Sequence, residues 1–196
     1  MRRRTLDALL TTGGLIVAAV LLVAGGLLTW ASNFVDNEVH TQLAAQHITF
    51  PAKGSDQLND PKVKPYLEQY AGQQLTTGAQ AKAWADHYIK VHLDESTGGK
   101  TYSELSAASR ANPDDPKAKA MVDLAFRGET LRGLLLNAYA FGTMGVIAMY
   151  AAIASFIGAA AMLVLALLGF RHLRRVPAEE EVGAGSHARA AKPAIA

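Results

Sequence analysis

Two long apolar runs divide the chain. Ala8–Ala31 carries no charged residue, and neither does the interval from Gly133 to Phe170, flanked by Arg132 and Arg171. A helix of about 20 apolar residues crosses a bilayer core, so the pattern predicts an all-α membrane protein with two transmembrane helices. The second run is nearly twice the length needed. Its 38 residues would make a helix of about 57 Å against an apolar thickness of about 30 Å. Tilt alone would have to reach nearly 60°, beyond the range of about 0–40° that membrane helices show.

Dividing the run resolves the mismatch. Counting back about 20 residues from Arg171 places the outer boundary near Tyr150, an aromatic suited to the interface, and Trp30 holds the matching place in the first run. The segment from Gly133 to Met149, apolar on nearly every side, is then expected to be the central helix of a domain outside the bilayer, wrapped all round by the residues between the runs. Its expected core contribution is Leu134, Leu135, Leu136, Tyr139, Phe141, Met144, Val146 and Ile147. A continuous helix is favoured over a break at Gly142–Gly145, because a helical glycine costs only about 1 kcal/mol against alanine. A separate second span after such a break, or folding of the outer half back into the membrane, are the alternatives.

Charge sets the expected orientation. Arg2, Arg3 and Arg4 precede the first run, and Arg171, His172, Arg174 and Arg175 follow the second, which places both termini in the cytoplasm. Between the runs 11 Lys and Arg meet 13 Asp and Glu, so the net charge of +2 comes from the ends and marks no nucleic-acid surface. The expected organisation is a cytoplasmic N-terminus (1–7), a first span (8–31), a helical extracytoplasmic domain (32–149) that includes the outer half of the long C-terminal helix, a second span (150–170) and a cytoplasmic tail (171–196). From Pro177 the tail is Ala, Gly and charge without periodicity, the composition of a disordered segment. A cleaved signal peptide competes for the N-terminus, since Thr29 and Ala31 form a small-residue pattern, but the apolar run exceeds a signal core. The chain has no cysteine, which excludes disulfides, thiolate catalysis and Cys-ligated zinc.

The region between the runs reads as helices with explicit start signals. Val35, Val39 and Leu43, with Phe34 beside them, extend the first span as an amphipathic helix that runs antiparallel to the apolar one. "PAKGSDQLNDP" reads as a loop. Asp60 before Pro61 starts a helix through "PKVKPYLEQYA". Thr77 caps another, on which Ala81, Trp84, Ala85, Tyr88 and Val91 recur at helical spacing. "TYSE", Thr101–Glu104, is a capping box, and Asp115 with Pro116 starts the last helix. Strand signals and internal repeats are absent.

Candidate chemistry changes the picture little. "STGGKT", Ser96–Thr101, lacks the upstream glycine of a phosphate loop, position 94 being Asp94, and reads as a turn ending in a helix cap. His87 and His92 are five apart, off a common helix face; His92 and Asp94 form a His-x-Asp fragment whose distal third histidine is missing on that side, the only later ones, His172 and His187, lying across the membrane in this topology. Asp36, His40 and His47 fit one face of the first outer helix. No Gly-x-Ser-x-Gly or dinucleotide fingerprint occurs. Glu129 and Arg132 are spaced to pair. Asn137, set among leucines, is expected to satisfy a buried carbonyl or a partner chain. Small residues four apart, Gly14 with Ala18 and Ala154 with Gly158, suit close helix packing between the spans or between copies.

The stretches "LTWASNFVDNEV", "GQQLTTGAQAKAWADHYI" and "FRGETLRGLLLNAYAFG" resemble a family of uncharacterised small two-span membrane proteins of high-GC Gram-positive bacteria. Some members carry the description aromatic ring-opening dioxygenase, which implies an iron site with converging His and carboxylate ligands; the positions for such a triad are missing here. The expected function is a non-enzymatic cell-envelope membrane protein whose outer domain binds a protein or an envelope component, as an accessory subunit of a complex. No cofactor, no metal and no nucleic acid enter this expectation; the partners are the lipid bilayer and a protein, with homo-oligomerisation open. Alternatives are a ligand-sensing module with a pocket near Trp84, Tyr88, Asn137 and Tyr139 and, behind it, a metal-dependent ring-opening dioxygenase.

Overall fold

The computed structural model describes residues 3–175. The tail expected to be disordered from Pro177 lies outside the described residues, as do Arg2 and His187. Among the described residues the regular elements are all helical, with one isolated antiparallel bridge, Thr49 to Gln74. The order is α1 (Arg3–Ala44), α2 (Asp56–Asn59), α3 (Lys64–Leu67) with a 3₁₀ turn (Glu68–Tyr70), α4 (Gly78–Trp84), a π-helical turn (Ala85–Ile89), α5 (Lys90–Thr97), α6 (Tyr102–Ala111) and α7 (Pro116–Leu173). The long helix passes unbroken through Gly142 and Gly145. The chain forms two compact units, one from residues up to Trp30 together with those from Met149, the other Ala31–Ala148.

In the first unit α1 and α7 run antiparallel, with Gly25 facing the Phe156 ring, Gly158 facing Leu21, and Asp7 lying 3.7 Å from His172. The packed positions are small and recur every seven residues: Thr11, Ala18 and Gly25 on α1, Ala152, Ala159 and Ala166 on α7. That period is the one that keeps a helix seam facing its partner in a left-handed supercoil. The small-residue pairs expected four apart therefore contribute Ala18 and Gly158 to the contact, while Gly14 has nothing close and Ala154 is exposed. The large side chains, including Ile16, Val23, Ile157 and Leu167, point outward and are exposed. Both helices are long and apolar enough to cross a membrane, and the most apolar stretch of each is only 17% buried, whereas the core helix of a soluble protein is mostly covered. This fits a membrane location.

The second unit has its core around Phe50. Leu43, Phe50, Leu58, Val63, Leu67, Leu75, Ala81, Ala85 and Leu135 are buried together. Phe50 meets Trp84 edge-on at 5.1 Å and Tyr70 at 5.2 Å, arrangements that aromatic quadrupoles favour. Local signals hold this core in place. The Asp60 carboxylate accepts from Lys62 N–H at 2.7 Å. Thr77 and Gln80 form a full capping box at the start of α4, and Gln80 is buried with its amide oxygen accepting from Thr76 and Thr77 N–H and its amide nitrogen donating to Gln73. Gly98 takes the left-handed conformation that ends α5, and Thr101 with Glu104 starts α6. Within this unit Ser32 Oγ donates to the Gly145 carbonyl at 2.8 Å, and Gly145 admits the Val35 side chain.

Three expectations are corrected here. The outer half of the apolar helix is not wrapped: Leu135 is 7% exposed, but Leu134, Phe141, Met144, Val146 and Ile147 are 55–62% exposed, and Leu136 and Tyr139 are half-buried. The reason is supply. Residues 48–75 fold on Phe50 and α6 packs near Phe126, through Tyr102, so α1 and the α4–α5 run are what touches this part of α7. Secondly, "PAKGSDQLNDP" contains a helical turn, α2, because Leu58 is drawn into the core. Thirdly, His47 does not share a face with Asp36 and His40: α1 ends at Ala44 and His47 takes a left-handed φ of 52° beyond it.

Candidate functional site

Two adjoining concavities lie along α7 in the second unit. One, of about 380 Å³, is lined by Phe34, Val35, Glu38, Val39 and Gln42 of α1 with Ala138 and Phe141 of α7. The other, of about 350 Å³, is lined by Gln42, Leu43, Gln46 and Ile48, by Trp84 and Ile89, and by Leu131, Leu134, Leu135 and Ala138. Gln42 and Ala138 belong to both, so the two form one groove with an apolar floor and a rim of Glu38, Gln42 and Gln46. Its α7 wall, Leu131, Leu134, Ala138 and Phe141, follows the three-and-four spacing of one helix face.

The far end of the groove is fixed by Arg132. Its side chain is 15% exposed and reaches Asp86 at 3.3 Å and Glu129 at 2.7 Å, while its Nε donates to the Ala85 carbonyl at 3.1 Å. Ala85 opens the π-helical turn, and its carbonyl accepts the Lys90 N–H across that turn while its second lone pair keeps acceptor capacity to spare. Arg132 takes up that capacity and ties α7 to the element that presents Trp84 and Ile89. Partial burial of Asp86 works against its charge, but hydrogen bonds from Lys82 and Arg132 and their positive charges outweigh it, so the carboxyl titrates below its ordinary value. The Glu129–Arg132 pair was legible from spacing. The bonds to Asp86 and Ala85 were not, because no periodicity announces a π turn.

The four residues expected to flank a pocket do not converge. Trp84 lines the groove, and Tyr88 stacks on it at 4.1 Å. Tyr139 lies on the other flank of α7, where its Cα faces Gly78 and Lys82 sits 5.1 Å above its ring. Asn137 is exposed, about 200° around the helix from Tyr139, and bonds no buried carbonyl, so of the two expected partners the partner chain stays open. The histidines are separately engaged: His87 stacks on Tyr66 at 3.5 Å, and His92 Nδ1 lies 2.7 Å from the Tyr88 carbonyl. Among the described residues no three His, Asp or Glu side chains come together as a metal-binding group. "STGGKT" forms the end of α5, two left-handed glycines and the α6 cap. Comparison with protein-family models, curated proteins and solved structures gives no match.

Proposed function

We propose that this is a two-span membrane protein of the cell envelope, both termini cytoplasmic, whose inter-span helical domain binds a partner protein or another envelope component in the groove between α1 and α7. Binding rather than chemistry is proposed, consistent with the resemblance to two-span envelope proteins of high-GC Gram-positive bacteria. One observation carries this reading: a domain that closes its core around Phe50 leaves Leu134 62% and Phe141 58% exposed beside that groove. Uncovered apolar surface rimmed by polar groups marks an interaction site, and a groove with anchors at three-and-four spacing suits an apolar helix of a partner.

A photo-crosslinking residue at Gln42 in native membranes tests it. Adducts expected at Gln42, absent from a control site at Gln69 and lost in Leu134→Asp, support the groove as the binding site. Equal labelling at both sites would refute it. A ligand-sensing role is favoured by one feature, the Trp84–Tyr88 stack at a concavity of about 350 Å³, within the size range of small-molecule sites; quenching of Trp84 emission by a small apolar probe, with no protein adduct at Gln42, would select it.

A further inference from the structure

Beside the groove α7 presents a second face. Leu134, Asn137, Phe141 and Met144 follow one another at intervals of three, four and three, the spacing of a heptad seam, and all four are exposed. This stripe is distinct from the seam α7 uses within its own chain, where Leu135 and Gly145 are buried one position further along. It shares Leu134 and Phe141 with the groove, holds no charge, and has one polar member, Asn137.

We infer that the protein partner proposed above is a second copy of this chain, the two α7 helices pairing in parallel along this stripe with the two Asn137 amides hydrogen-bonded to each other. The inference rests on the membrane-spanning reading above. Two copies inserted the same way round in one bilayer are related by a two-fold axis along the membrane normal, so α7 meets α7 in parallel and each stripe residue meets its own counterpart at the same height. A face that must match itself cannot carry a net charge, and this one carries none. It can carry an asparagine, because a carboxamide is donor and acceptor at once and two of them complement each other. A single asparagine in an otherwise apolar heptad stripe is the device that fixes register and two-strandedness in parallel coiled coils. Lipid fits the stripe less well. Covering Phe141 with hydrocarbon would immerse Glu38, which lines the same concavity, and would leave the Asn137 amide without a partner.

The chain has no cysteine, which makes the test direct. Single cysteines are placed in turn from position 133 to 145 of the full-length protein and oxidised in native membranes. Disulfide-linked homodimers are expected to peak at positions 134, 137, 141 and 144 and to fall away at 136 and 140. A flat profile, no homodimer at any position, or adducts only to a different protein would overturn the proposal. Asn137→Asp sets two carboxylates against each other and is expected to weaken dimerisation of the detergent-solubilised protein at least about tenfold at neutral pH. Acid is expected to restore dimerisation in that variant, a recovery that simple misfolding would not give; unaltered dimerisation at neutral pH would overturn the assignment of Asn137. Alkaline carbonate extraction separates the two readings. Release of the chain from membranes would sink the membrane reading itself, whereas a retained chain without the periodic crosslinks sinks only the dimer.

Discussion

Residues 48–97 and residues 133–148 make opposite impressions as sequence and exchange roles in the fold. The first stretch is dotted with Pro, Gly, Asp and Lys, yet it supplies Phe50, Leu58, Val63, Leu67 and Leu75, the largest fully buried side chains among the described residues. The second is apolar almost without interruption, yet Leu135 is its one large buried side chain. Burial is a property of closure rather than of hydropathy. Short segments that turn back on one another can surround a phenylalanine, whereas a straight helix has a whole circumference to cover and here has two helical neighbours. What the straight helix keeps exposed is available to bind.

The contrast breaks most sharply at neighbouring leucines. Leu135→Asp would place a carboxylate at a 7%-exposed position whose nearest cation on α7, Arg132, is already held by Asp86 and Glu129, and is expected to destabilise the second unit by several kcal/mol. Leu134→Asp, one residue earlier and 62% exposed, is expected to cost less than about 0.5 kcal/mol in the isolated chain. Limited proteolysis of the detergent-solubilised protein reads both. Equal protease resistance in the two variants would mean that α7 does not seat on the Phe50 core.

The same opposition holds for the two phenylalanines. Phe50→Ala removes a ring that is 1% exposed, and about 3–5 kcal/mol of stability is expected to go with it, seen as a fall in the thermal midpoint of the near-ultraviolet circular dichroism signal. Phe141→Ala, at 58% exposure, is expected to leave that midpoint nearly unchanged while weakening crosslinks at Gln42. A large drop for Phe141→Ala would show that its face is covered within a single chain.

Arg132 joins the two regions, and its replacement tests whether the groove needs that tie. Arg132→Ala removes one of the two cations that hold Asp86, which keeps Lys82, and the second bond to the Ala85 carbonyl, which keeps the Lys90 N–H, at an expected cost of about 0.5–1.5 kcal/mol. The pH dependence has a definite sign. Asp86 titrates below its ordinary value of 3.8 in the folded state, so its stabilising contribution is complete above that value and is lost as pH falls through the lower folded pKa. Unfolding followed from pH 5 downward is expected to show this loss in the native sequence and a flatter profile in Asp86→Asn. Identical profiles would remove Asp86 from the tie.

Much of the fold was readable because local rules and global packing agree at particular residues. Thr77, Thr101 and Asp115 sit at helix starts, where their side-chain oxygens meet orphan backbone donors, and α7 is continuous because isolated helical glycines cost little. The Phe50 core was illegible for a physical reason: Leu58, Val63, Leu67 and Leu75 lie on elements of about one turn or between them, too short to display any period. The seven-residue seam was hidden differently. Thr11, Ala18 and Gly25 are small and lie among larger apolar residues, so a search for apolar periodicity sees only a uniformly apolar run. Of the candidate site, Trp84 and Tyr88 were found because helical spacing puts them on one side. Asn137 was singled out as meeting a buried carbonyl or a partner chain, and its exposure removes only the first; Gln42 and Glu38 drew no notice because polar rim residues look like any solvated face.

The smallest expected effect separates two helix starts that look alike in sequence. Thr77–Gln80 and Thr101–Glu104 are both complete capping boxes, each threonine accepting from the third backbone N–H of its helix at 3.3 Å. Loss of such a cap costs about 0.5–2 kcal/mol. At Thr101 the surroundings are exposed, water can replace the lost acceptor, and Thr101→Ala is expected near the bottom of that range. At Thr77 the reciprocal partner Gln80 is 6% exposed and also holds Thr76 and Gln73. Thr77 is itself exposed, but the N–H it caps belongs to buried Gln80, and Gly78, in the first turn, lies so close to the α7 backbone that an added Cβ would come within 3.1 Å of the Tyr139 Cα. Slippage of α4 is therefore resisted by its neighbour, and the uncapped N–H groups would remain partly buried. Thr77→Ala is expected near the top of the range, the difference appearing as a lower midpoint in urea with an unchanged slope. Equal costs for the two threonines would show that the Phe50 region is more open to water than its buried side chains indicate.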